Sequence, residues 1–271
     1  METYILSNGI AIPKIGFGTW QLPESEQSVD TIRTAIDVGY RLIDSAQMYN
    51  NEMSVGKAAQ LSGAPRSELF ITTKLANDAH GYSEAIAAID GSLQLLGMDY
   101  IDLFLIHWPY SAHHHDGRDE RDANTWRAME TAYRSGKLRS IGVSNFTPEH
   151  LAALLETAEI TPMVNQLRLF PGVEQADTVA YCIDHSILPE AYSPLGYGLV
   201  FGRTELDHIA QRYNKTTAQV CLRWSMQMGF LPIPKSAQET RMRENLDVFG
   251  FTLTQDDMAA ISALTPPVER A

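Results

Sequence analysis

The sequence predicts a closed (β/α)8 barrel, in which eight parallel strands form the core and helices surround them. Three observations support this prediction. Eight short apolar runs recur along the 271 residues, helix-period segments fill almost every gap between the runs, and the runs are nearly continuously hydrophobic. Strands that are covered on both faces have this composition, and the number of strand–helix units fits a barrel better than an open doubly wound sheet.

The predicted strands follow one another at intervals of roughly 20 to 45 residues. The clearest is Ile101-Asp102-Leu103-Phe104-Leu105-Ile106. An additional hairpin is expected before the first barrel strand, where apolar residues flank the turn Ser7-Asn8-Gly9, and such a hairpin would close the bottom of the barrel. The eight barrel strands are predicted at residues 16–19, 41–44, 69–73, 101–106, 138–143, 163–166, 187–192 and 231–233.

The helices between the strands carry their own start and stop signals. Thr147 precedes Pro148 and an apolar stripe, which predicts a capped helix start. Gly39, Gly63 and Gly97 each end a helical pattern. No linker rich in proline and serine interrupts the alternation, so residues 1–271 are expected to form a single domain.

Composition excludes several classes of partner. The net charge of −12 has the wrong sign for binding nucleic acid or an anionic membrane surface. No apolar run is long enough to cross a bilayer, and the first residues lack the pattern of a secretory signal, so a cytoplasmic location is expected. The chain is also expected to be a monomer. The two cysteines, Cys182 and Cys221, have no metal-ligand spacing and are interpreted as core residues.

Polar and aromatic residues follow the predicted strands at their carboxyl ends, where barrel enzymes carry their active sites. Taken singly, each has an ordinary explanation: a solvated lysine, a core histidine or a packing tyrosine. Together they place acids, bases and amides on one rim, which favours a functional site. The residues are Trp20, Asp44, Tyr49, Lys74, His107, Trp108, Ser144, Asn145, Gln166, Tyr192, Ser193, Lys235 and Ser236.

Four separated segments resemble the aldo-keto reductase family, and the likeness covers essentially the whole chain. The short bacterial members, including those similar to 2,5-diketo-gluconate reductases, resemble it most. Four motifs in the right order are a specific signal, unlike a lone glycine pattern. The segments are Gly39-Tyr40-Arg41-Leu42-Ile43-Asp44-Ser45-Ala46 followed by Tyr49 and Asn51-Glu52, Asp102 to Pro109, Gly136 to Phe146, and Ile233-Pro234-Lys235-Ser236 followed by Arg241 and Glu244-Asn245.

The resemblance implies a barrel that binds NADPH in an extended conformation and reduces a carbonyl group, with Tyr49, Asp44, Lys74 and His107 as catalytic residues. A carbonyl that gains hydride becomes an alkoxide and needs a proton. We expect Tyr49 to supply it, with its pKa lowered by the Lys74 ammonium. Asp44 would hold Lys74 charged, and His107 would orient the carbonyl oxygen.

No Gly-x-Gly-x-x-Gly pattern follows a strand, so side chains around the rim would have to hold the cofactor. The two cations, Lys235 and Arg241, favour NADP over NAD, although outside this motif they would be interpreted as ordinary surface charges. The resemblance assigns the nicotinamide end to Ser144, Asn145, Gln166 and Tyr192, the pyrophosphate to Ser193, Leu195 and Gly196, the 2′-phosphate to Lys235, Ser236 and Arg241, and the adenine to Glu244 and Asn245.

The substrate pocket is predicted to combine apolar walls with a polar catalytic end, formed by Trp20, Tyr49, His107 and Trp108. Trp20 has the alternative of being a core residue. Only a short tail follows the last helical pattern, residues 254–264, whereas larger family members cover the site with a long loop. The short tail implies an open pocket and loose selectivity, and the resemblance implies that the substrates are small aldehydes, ketones and diketo-sugar acids.

Three residues differ from the family's pattern, and two competing functions stay open at this point. Ser45 replaces the family's threonine, and Arg168 and Phe170 stand where the family has glutamate and histidine or tyrosine. The run His113-His114-His115 suggests a metal site, but consecutive histidines rarely converge on one ion, so no metal site is predicted. The competing functions are a non-catalytic NADP-sensing protein and a Schiff-base aldolase that uses Lys74.

Overall fold

A computed structural model describes residues 2–110 and 118–266 and contains the predicted barrel. β1 (Thr3–Ile5) and β2 (Ala11–Pro13) pair antiparallel, and eight further strands form one sheet in which every pair of neighbours is parallel. All eight predicted strands are present. They are β3 (Gly16–Gly18), β4 (Leu42–Asp44), β5 (Phe70–Leu75), β6 (Leu103–Ile106), β7 (Ile141–Ser144), β8 (Val164–Arg168), β9 (Leu188–Tyr192) and β10 (Leu231–Ile233).

The sheet closes where β10 meets β3. The Gly18 N–H donates a hydrogen bond to the Pro234 carbonyl over 3.0 Å, directly beyond the end of β10. A Cβ atom on Gly18 would lie 3.1 Å from the Ile233 carbonyl oxygen, so a larger residue would push the two strands apart. The glycine therefore allows the close approach that closes the barrel.

Ten helices of the described chain surround the strands. The predicted helix start at Thr147 is confirmed, because the Thr147 side chain accepts from the His150 N–H and the His150 ring reciprocates, with Pro148 in the first turn. The helices are α1 (Glu26–Val38), α2 (Glu52–Leu61), α3 (Tyr82–Leu96), α4 (Arg118–Arg134), α5 (Pro148–Leu155), α6 (Ala176–Asp184), α7 (Thr204–Tyr213), α8 (Thr217–Gln227), α9 (Glu239–Leu246) and α10 (Gln255–Ser262).

The N-terminal hairpin lies across the bottom of the barrel, as predicted. The Tyr4 hydroxyl donates to the carbonyls of Met226 and Phe230, both at 3.1 Å, and Phe230 directly precedes β10. The Asn8 amide donates to the Arg139 carbonyl, two residues before β7, over 3.0 Å. Because the hairpin covers the amino ends of the strands, the carboxyl ends form the open face.

A buried charge cluster stabilises the same bottom end. Asp102, which is fully buried just before β6, accepts from the Ile71 N–H over 2.9 Å. Its two carboxylate oxygens also lie 2.6 Å from Arg66 and 2.8 Å from Arg139, and both guanidinium groups pack against the Tyr100 ring. The carboxylate is therefore saturated with charged and neutral donors.

The barrel interior and the strand–helix layer form the main hydrophobic core, and both cysteines are buried and free, as expected for core residues. Within the described residues, no helix has the length and apolar character needed to span a bilayer.

Candidate active site

A cavity of about 1060 Å³ opens at the carboxyl ends of the strands. It brings together nearly all the residues that the sequence predicted for the site. Two are missing from its wall: Lys74, which lies behind Asp44, and Gly196. The predicted residues that line it are Trp20, Asp44, Tyr49, His107, Trp108, Ser144, Asn145, Gln166, Tyr192, Ser193, Leu195, Lys235, Ser236, Arg241, Glu244 and Asn245.

The innermost part of the site is an ion pair between neighbouring strands. Lys74, on β5, has 0% exposed surface. Its Nζ donates to Asp44 Oδ1 at 2.7 Å, to Asp44 Oδ2 at 2.8 Å and to the Ser45 carbonyl at 2.7 Å. Burial alone would lower the pKa of Lys74, but the charge of Asp44 and the hydrogen bonds to it outweigh burial and raise the pKa. Lys74 is therefore an ammonium with all three donors committed.

Tyr49 ends a 3₁₀ turn, Gln47–Tyr49, that side-chain hydrogen bonds hold in place. Gln47 accepts from the Ala76 N–H at 2.7 Å and donates to the Ala88 carbonyl at 2.9 Å. Ser45 donates to the Asn51 side chain over 2.7 Å. These contacts tie the turn to the end of β5 and to α3, so the Tyr49 ring has a fixed position over the ion pair, with its centre 5.0 Å from Lys74 Nζ.

The pKa of Tyr49 corrects one expectation. Lys74 does lower this pKa, as predicted, but burial of the phenol has a larger effect and Asp44 adds to it, so the net pKa is raised above the ordinary value of 10.0. Burial depends on tertiary packing, which the sequence did not reveal. Tyr49 consequently holds its proton firmly at neutral pH in this state.

His107, directly after β6, is an uncharged imidazole. Burial and the nearby Lys74 charge lower the pKa of His107 to about 3. Its ring packs edge-on against Tyr49 with 5.7 Å between centres. Its buried Nδ1 atom has no hydrogen-bond partner among the described residues. The imidazole is thus neutral beside Tyr49 on the wall of the cavity, where it can act as a hydrogen-bond donor.

Polar side chains at the ends of β7, β8 and β9 form a connected network. Ser144 donates to the Gln166 carbonyl over 2.9 Å, and Asn145 donates to the His107 carbonyl over 3.1 Å. The Tyr192 hydroxyl donates to Asn145 Oδ1 over 3.0 Å, and the Gln166 amide donates to Asp44 over 2.9 Å. The network fixes the direction of each amide and connects this side of the cavity to the ion pair.

The outer end of the cavity carries positive charge. Lys235, in the loop after β10, and Arg241, on α9, are both exposed. Between them and the wall, Ser236 is nearly buried and accepts from the Gln238 N–H over 3.1 Å. Glu244 accepts from the Thr216 hydroxyl over 2.7 Å. Two cations and several hydroxyls at one end, with amides at the other, match the donors that an extended phosphorylated dinucleotide requires.

Aromatic side chains line the mouth of the cavity. Trp20 is 44% exposed and packs on Tyr197 with 5.5 Å between ring centres, so it is not a core residue. Tyr197 adopts a left-handed backbone conformation, with φ of 55°. The sequence analysis missed Tyr197, and only its two flanking glycines could have indicated the unusual turn. Other lining residues that it missed include Gln21, Met48, Phe201, Thr216 and Gln238.

The departures noted in the sequence affect the loop after β9. The Arg168 guanidinium lies 5.3 Å from the Phe170 ring centre and 5.2 Å from that of Tyr197. Gly196 packs so closely on Phe170 that an added Cβ would lie 2.7 Å from the ring. Gly196 therefore faces the protein interior and not the cavity, and its predicted contact with a cofactor rests on the resemblance alone.

Among the residues that the structure describes, no group of three or more histidine, cysteine, aspartate or glutamate side chains is arranged to hold a metal ion. His113, His114 and His115 lie outside the described residues, so that alternative stays as the sequence analysis left it.

Comparisons with known proteins agree with this geometry. A family model described as the aldo/keto reductase family matches residues 14–266. The chain is 44% identical to glyoxal reductase of Bacillus subtilis over 97% of its own length and 92% of the relative's. A crystal structure of an aldo/keto reductase from Brucella melitensis superposes with a TM-score of 0.91 at 41% identity, covering 96% of this chain and 97% of that one.

A third relative has been solved with a nucleotide. The aldo-keto reductase of Bombyx mori in complex with NADP superposes with a TM-score of 0.88 at 36% identity, covering 96% of this chain and 92% of that one. The match of the family model over nearly the whole chain, the identity to curated relatives and the common barrel lead to one conclusion. This chain belongs to the aldo/keto reductase family.

Proposed function

We propose that this chain is an NADPH-dependent reductase that converts the carbonyl groups of small aldehydes, ketones and diketo-sugar acids to alcohols. The observation that carries the proposal is the convergence of Tyr49, Lys74, Asp44 and His107 at one end of a cavity whose other end holds two cations. A proton donor and a dinucleotide-sized groove are the two requirements of such a reaction.

Tyr49 is the proton donor in this proposal. NADPH supplies the hydride when it is bound. As the carbonyl oxygen gains negative charge, the proton of the Tyr49 hydroxyl moves to that oxygen, which leaves a phenolate on the tyrosine. The Lys74 ammonium, whose Nζ lies 5.0 Å from the Tyr49 ring centre, stabilises the phenolate by its charge. Burial raises the pKa of Tyr49, so the hydroxyl keeps its proton before the reaction. The charge of Lys74 stabilises Tyr49 only once the proton begins to leave and negative charge forms on the phenol oxygen.

In this proposal, His107 orients the carbonyl oxygen of the substrate and Asp44 keeps Lys74 charged and in place. A neutral imidazole donates from one nitrogen only, and His107 is neutral because its pKa is lowered to about 3. Its donor can hold the carbonyl oxygen near Tyr49 without competing as an acid. Asp44 accepts two hydrogen bonds from Lys74, which keeps the buried ammonium charged and prevents it from turning away.

The remaining lining residues would hold the cofactor. Ser144, Asn145 and Gln166 present amides and hydroxyls suited to a carboxamide, and Tyr192 offers a ring face for stacking. Lys235, Ser236 and Arg241 fit a 2′-phosphate, while Glu244 and Asn245 lie where an adenine would end. The complex of the Bombyx mori relative with NADP supports this choice of nucleotide.

A Schiff-base aldolase is a weaker explanation of the same residues. Such an enzyme needs an unprotonated lysine as the nucleophile. The pKa of Lys74 is raised, and its three ammonium hydrogens already bind Asp44 and Ser45. A nucleophilic amine at this position would have to break that pair first.

A substrate panel tests the proposal. The loss of dihydronicotinamide absorbance is followed with methylglyoxal, diketo-sugar acids and nitrobenzaldehyde, with NADPH and NADH in parallel. We expect turnover with NADPH and a clear preference for NADPH over NADH, because Lys235 and Arg241 favour the additional phosphate. A folded protein that turns over none of these compounds would overturn the proposal, and an equal rate with both nucleotides would overturn the assignment of the two cations.

A further inference from the structure

A second buried carboxyl group, Glu190, lies in the barrel interior next to the ion pair. Glu190 is on β9 with 0% exposed surface, and its Cα partner on β8 is Gln166. Residues paired in this way point to the same side of a sheet. Gln166 reaches across the barrel to donate to Asp44 on β4, so both Gln166 and Glu190 point into the interior. The proposed reaction makes no use of Glu190.

The carboxyl oxygens of Glu190 make no well-formed hydrogen bond in the described chain, and the Gln166 amide is the one donor that interacts with them weakly. Neither of its oxygens meets a donor or acceptor with hydrogen-bonding geometry among residues 2–110 and 118–266. A buried and unpaired carboxylate is strongly disfavoured, and the group avoids that cost by binding a proton. Burial, followed by the negative charge of Asp44, raises the pKa of Glu190 to about 8, and the effects of Lys74 and the Gln166 amide offset this only in part.

The distribution of hydrogen-bond donors explains why Glu190 is left without a well-formed hydrogen bond. An ammonium has three hydrogens, and those of Lys74 go to the two oxygens of Asp44 and to the Ser45 carbonyl. When Glu190 is uncharged, Lys74 and Asp44 form a balanced pair. When Glu190 is ionised, two carboxylates compete for one ammonium, and the layer below Tyr49 gains a negative charge.

We propose that Glu190 is a positioning residue for proton transfer: while it is uncharged, Lys74 stays on Asp44 and close to Tyr49, and its ionisation draws the ammonium away and slows reduction. This inference rests on the proposed function. Loss of the proton from Glu190 adds a negative charge that competes with Asp44 for Lys74, the cation that stabilises the phenolate that Tyr49 must become. Activity is therefore expected below the ionisation of Glu190 and is lost as the pH rises through it.

The pKa shifts of the neighbouring groups lie away from the range in which Glu190 ionises. The pKa of Lys74 is raised, that of Tyr49 is raised above 10.0, that of Tyr192 is raised to about 12, and that of His107 is lowered to about 3. Asp44 is held as the partner of Lys74. Gln166 and Leu231, the Cα partners of Glu190 on the neighbouring strands, are uncharged.

The test is the pH profile of kcat/KM for the wild type and for Glu190→Gln, which keeps the shape of the side chain but cannot ionise. Glu52→Gln is the matched control, because Glu52 is also buried with a raised pKa but accepts a hydrogen bond from the Thr73 hydroxyl, on the outer side of β5. For a single ionisation near pH 8, wild-type kcat/KM falls about tenfold between pH 7 and pH 9. The ratio of kcat/KM at pH 7 to kcat/KM at pH 9 should be close to one in Glu190→Gln and about tenfold, as in the wild type, in Glu52→Gln.

The possible outcomes are distinct. An alkaline decline that persists in Glu190→Gln, in an enzyme that turns over, would overturn this inference alone, whereas a wild type without turnover at any pH would overturn the proposed function along with it. If Glu190→Gln does not fold, Glu190→Met gives the same comparison. An infrared pH titration of the wild type adds a readout independent of activity: the carbonyl band of a protonated carboxyl must disappear between pH 7 and pH 9, and its absence at pH 7 would overturn the inference.

Discussion

Asp102 and Asp44 are buried carboxylates at opposite ends of one barrel, and both are paired with cations. At the bottom, Asp102 binds Arg66, Arg139 and the Ile71 N–H, and each contact is short. At the top, Asp44 binds Lys74 and Gln166, and this end also contains polar groups without partners. Among the described residues, those unpartnered atoms include both Glu190 oxygens and His107 Nδ1, whereas the bottom cluster has one unpartnered guanidinium nitrogen, Arg66 Nε, and no unpartnered carboxylate oxygen.

The different surroundings of Asp102 and Asp44 suggest different roles: the bottom cluster stabilises the fold, and the top cluster serves the proposed reaction. A buried carboxylate whose oxygens are all bonded has a structural character, so the bottom cluster is expected to contribute to folding only. Unsatisfied groups with shifted pKa values are costly to bury and are maintained where a reaction uses them. In the proposed function, the open face is therefore the reactive end, and the hairpin-covered face is the structural end.

The largest expected effect comes from Lys74→Met, which breaks the pair at the reactive end. Removing one partner of a buried ion pair typically lowers the free energy of unfolding by about 3 kcal/mol or more. The loss of the ammonium should also lower kcat by about 10³-fold, because the Tyr49 phenolate would be left without a cation. Denaturant unfolding and steady-state kinetics measure the two effects. A variant with nearly wild-type kcat would show that Lys74 has a structural role only.

At the other end, Asp102→Ala should destabilise without affecting catalysis. Two guanidinium groups would lose their shared acceptor, which is expected to lower the free energy of unfolding by about 3 kcal/mol. The kcat/KM of the folded fraction should stay close to the wild-type value, since the cluster lies at the amino ends of the strands. A selective loss of kcat in the folded enzyme would break the division between the two ends.

A smaller effect is expected from Lys235→Met, which tests the charged outer end of the cavity. Lys235 is exposed, so solvent screens its charge and only a moderate loss follows. We expect KM for NADPH to rise about tenfold while KM for NADH changes little. Lys57→Met is the control, because this lysine is exposed and paired with Glu26 away from the cavity. An equal rise in both KM values would show that Lys235 does not contact the additional phosphate.

The smallest effect is expected from Tyr4→Phe in the hairpin. The variant loses the hydrogen bonds from the Tyr4 hydroxyl to the Met226 and Phe230 carbonyls. These bonds are worth about 1 kcal/mol in the free energy of unfolding, which thermal or denaturant unfolding can resolve. Kinetic constants should be unchanged. A change in kcat would indicate that the bottom hairpin influences the reactive end.

Much of this arrangement is predictable from the sequence, because parallel strands buried on both faces form unmistakable apolar runs. The run Ile101 to Ile106 is one example, although the observed strand begins at Leu103. Residues that directly follow such runs must share one rim, so Asp44, His107 and Asn145 could be placed together in advance.

Three features could not be predicted, since each depends on tertiary packing. Glu190 lies inside an apolar run, and nothing local indicates that it faces the interior beside Asp44. The raised pKa of Tyr49 depends on how deeply the ring is buried. The contact between Trp20 and Tyr197 depends on a left-handed tyrosine between two glycines, a conformation that no short pattern specifies.

The most direct test of the central claim is a rapid-mixing measurement of NADPH oxidation by the wild type and by Tyr49→Phe, with methylglyoxal as the substrate. Tyr49 is claimed to give its proton to the carbonyl oxygen, so Tyr49→Phe should slow the single-turnover rate by about 10³-fold or more. NADPH binding, followed by fluorescence, should be unchanged in the same samples. A Tyr49→Phe enzyme that oxidises bound NADPH within about tenfold of the wild-type rate would contradict the claim.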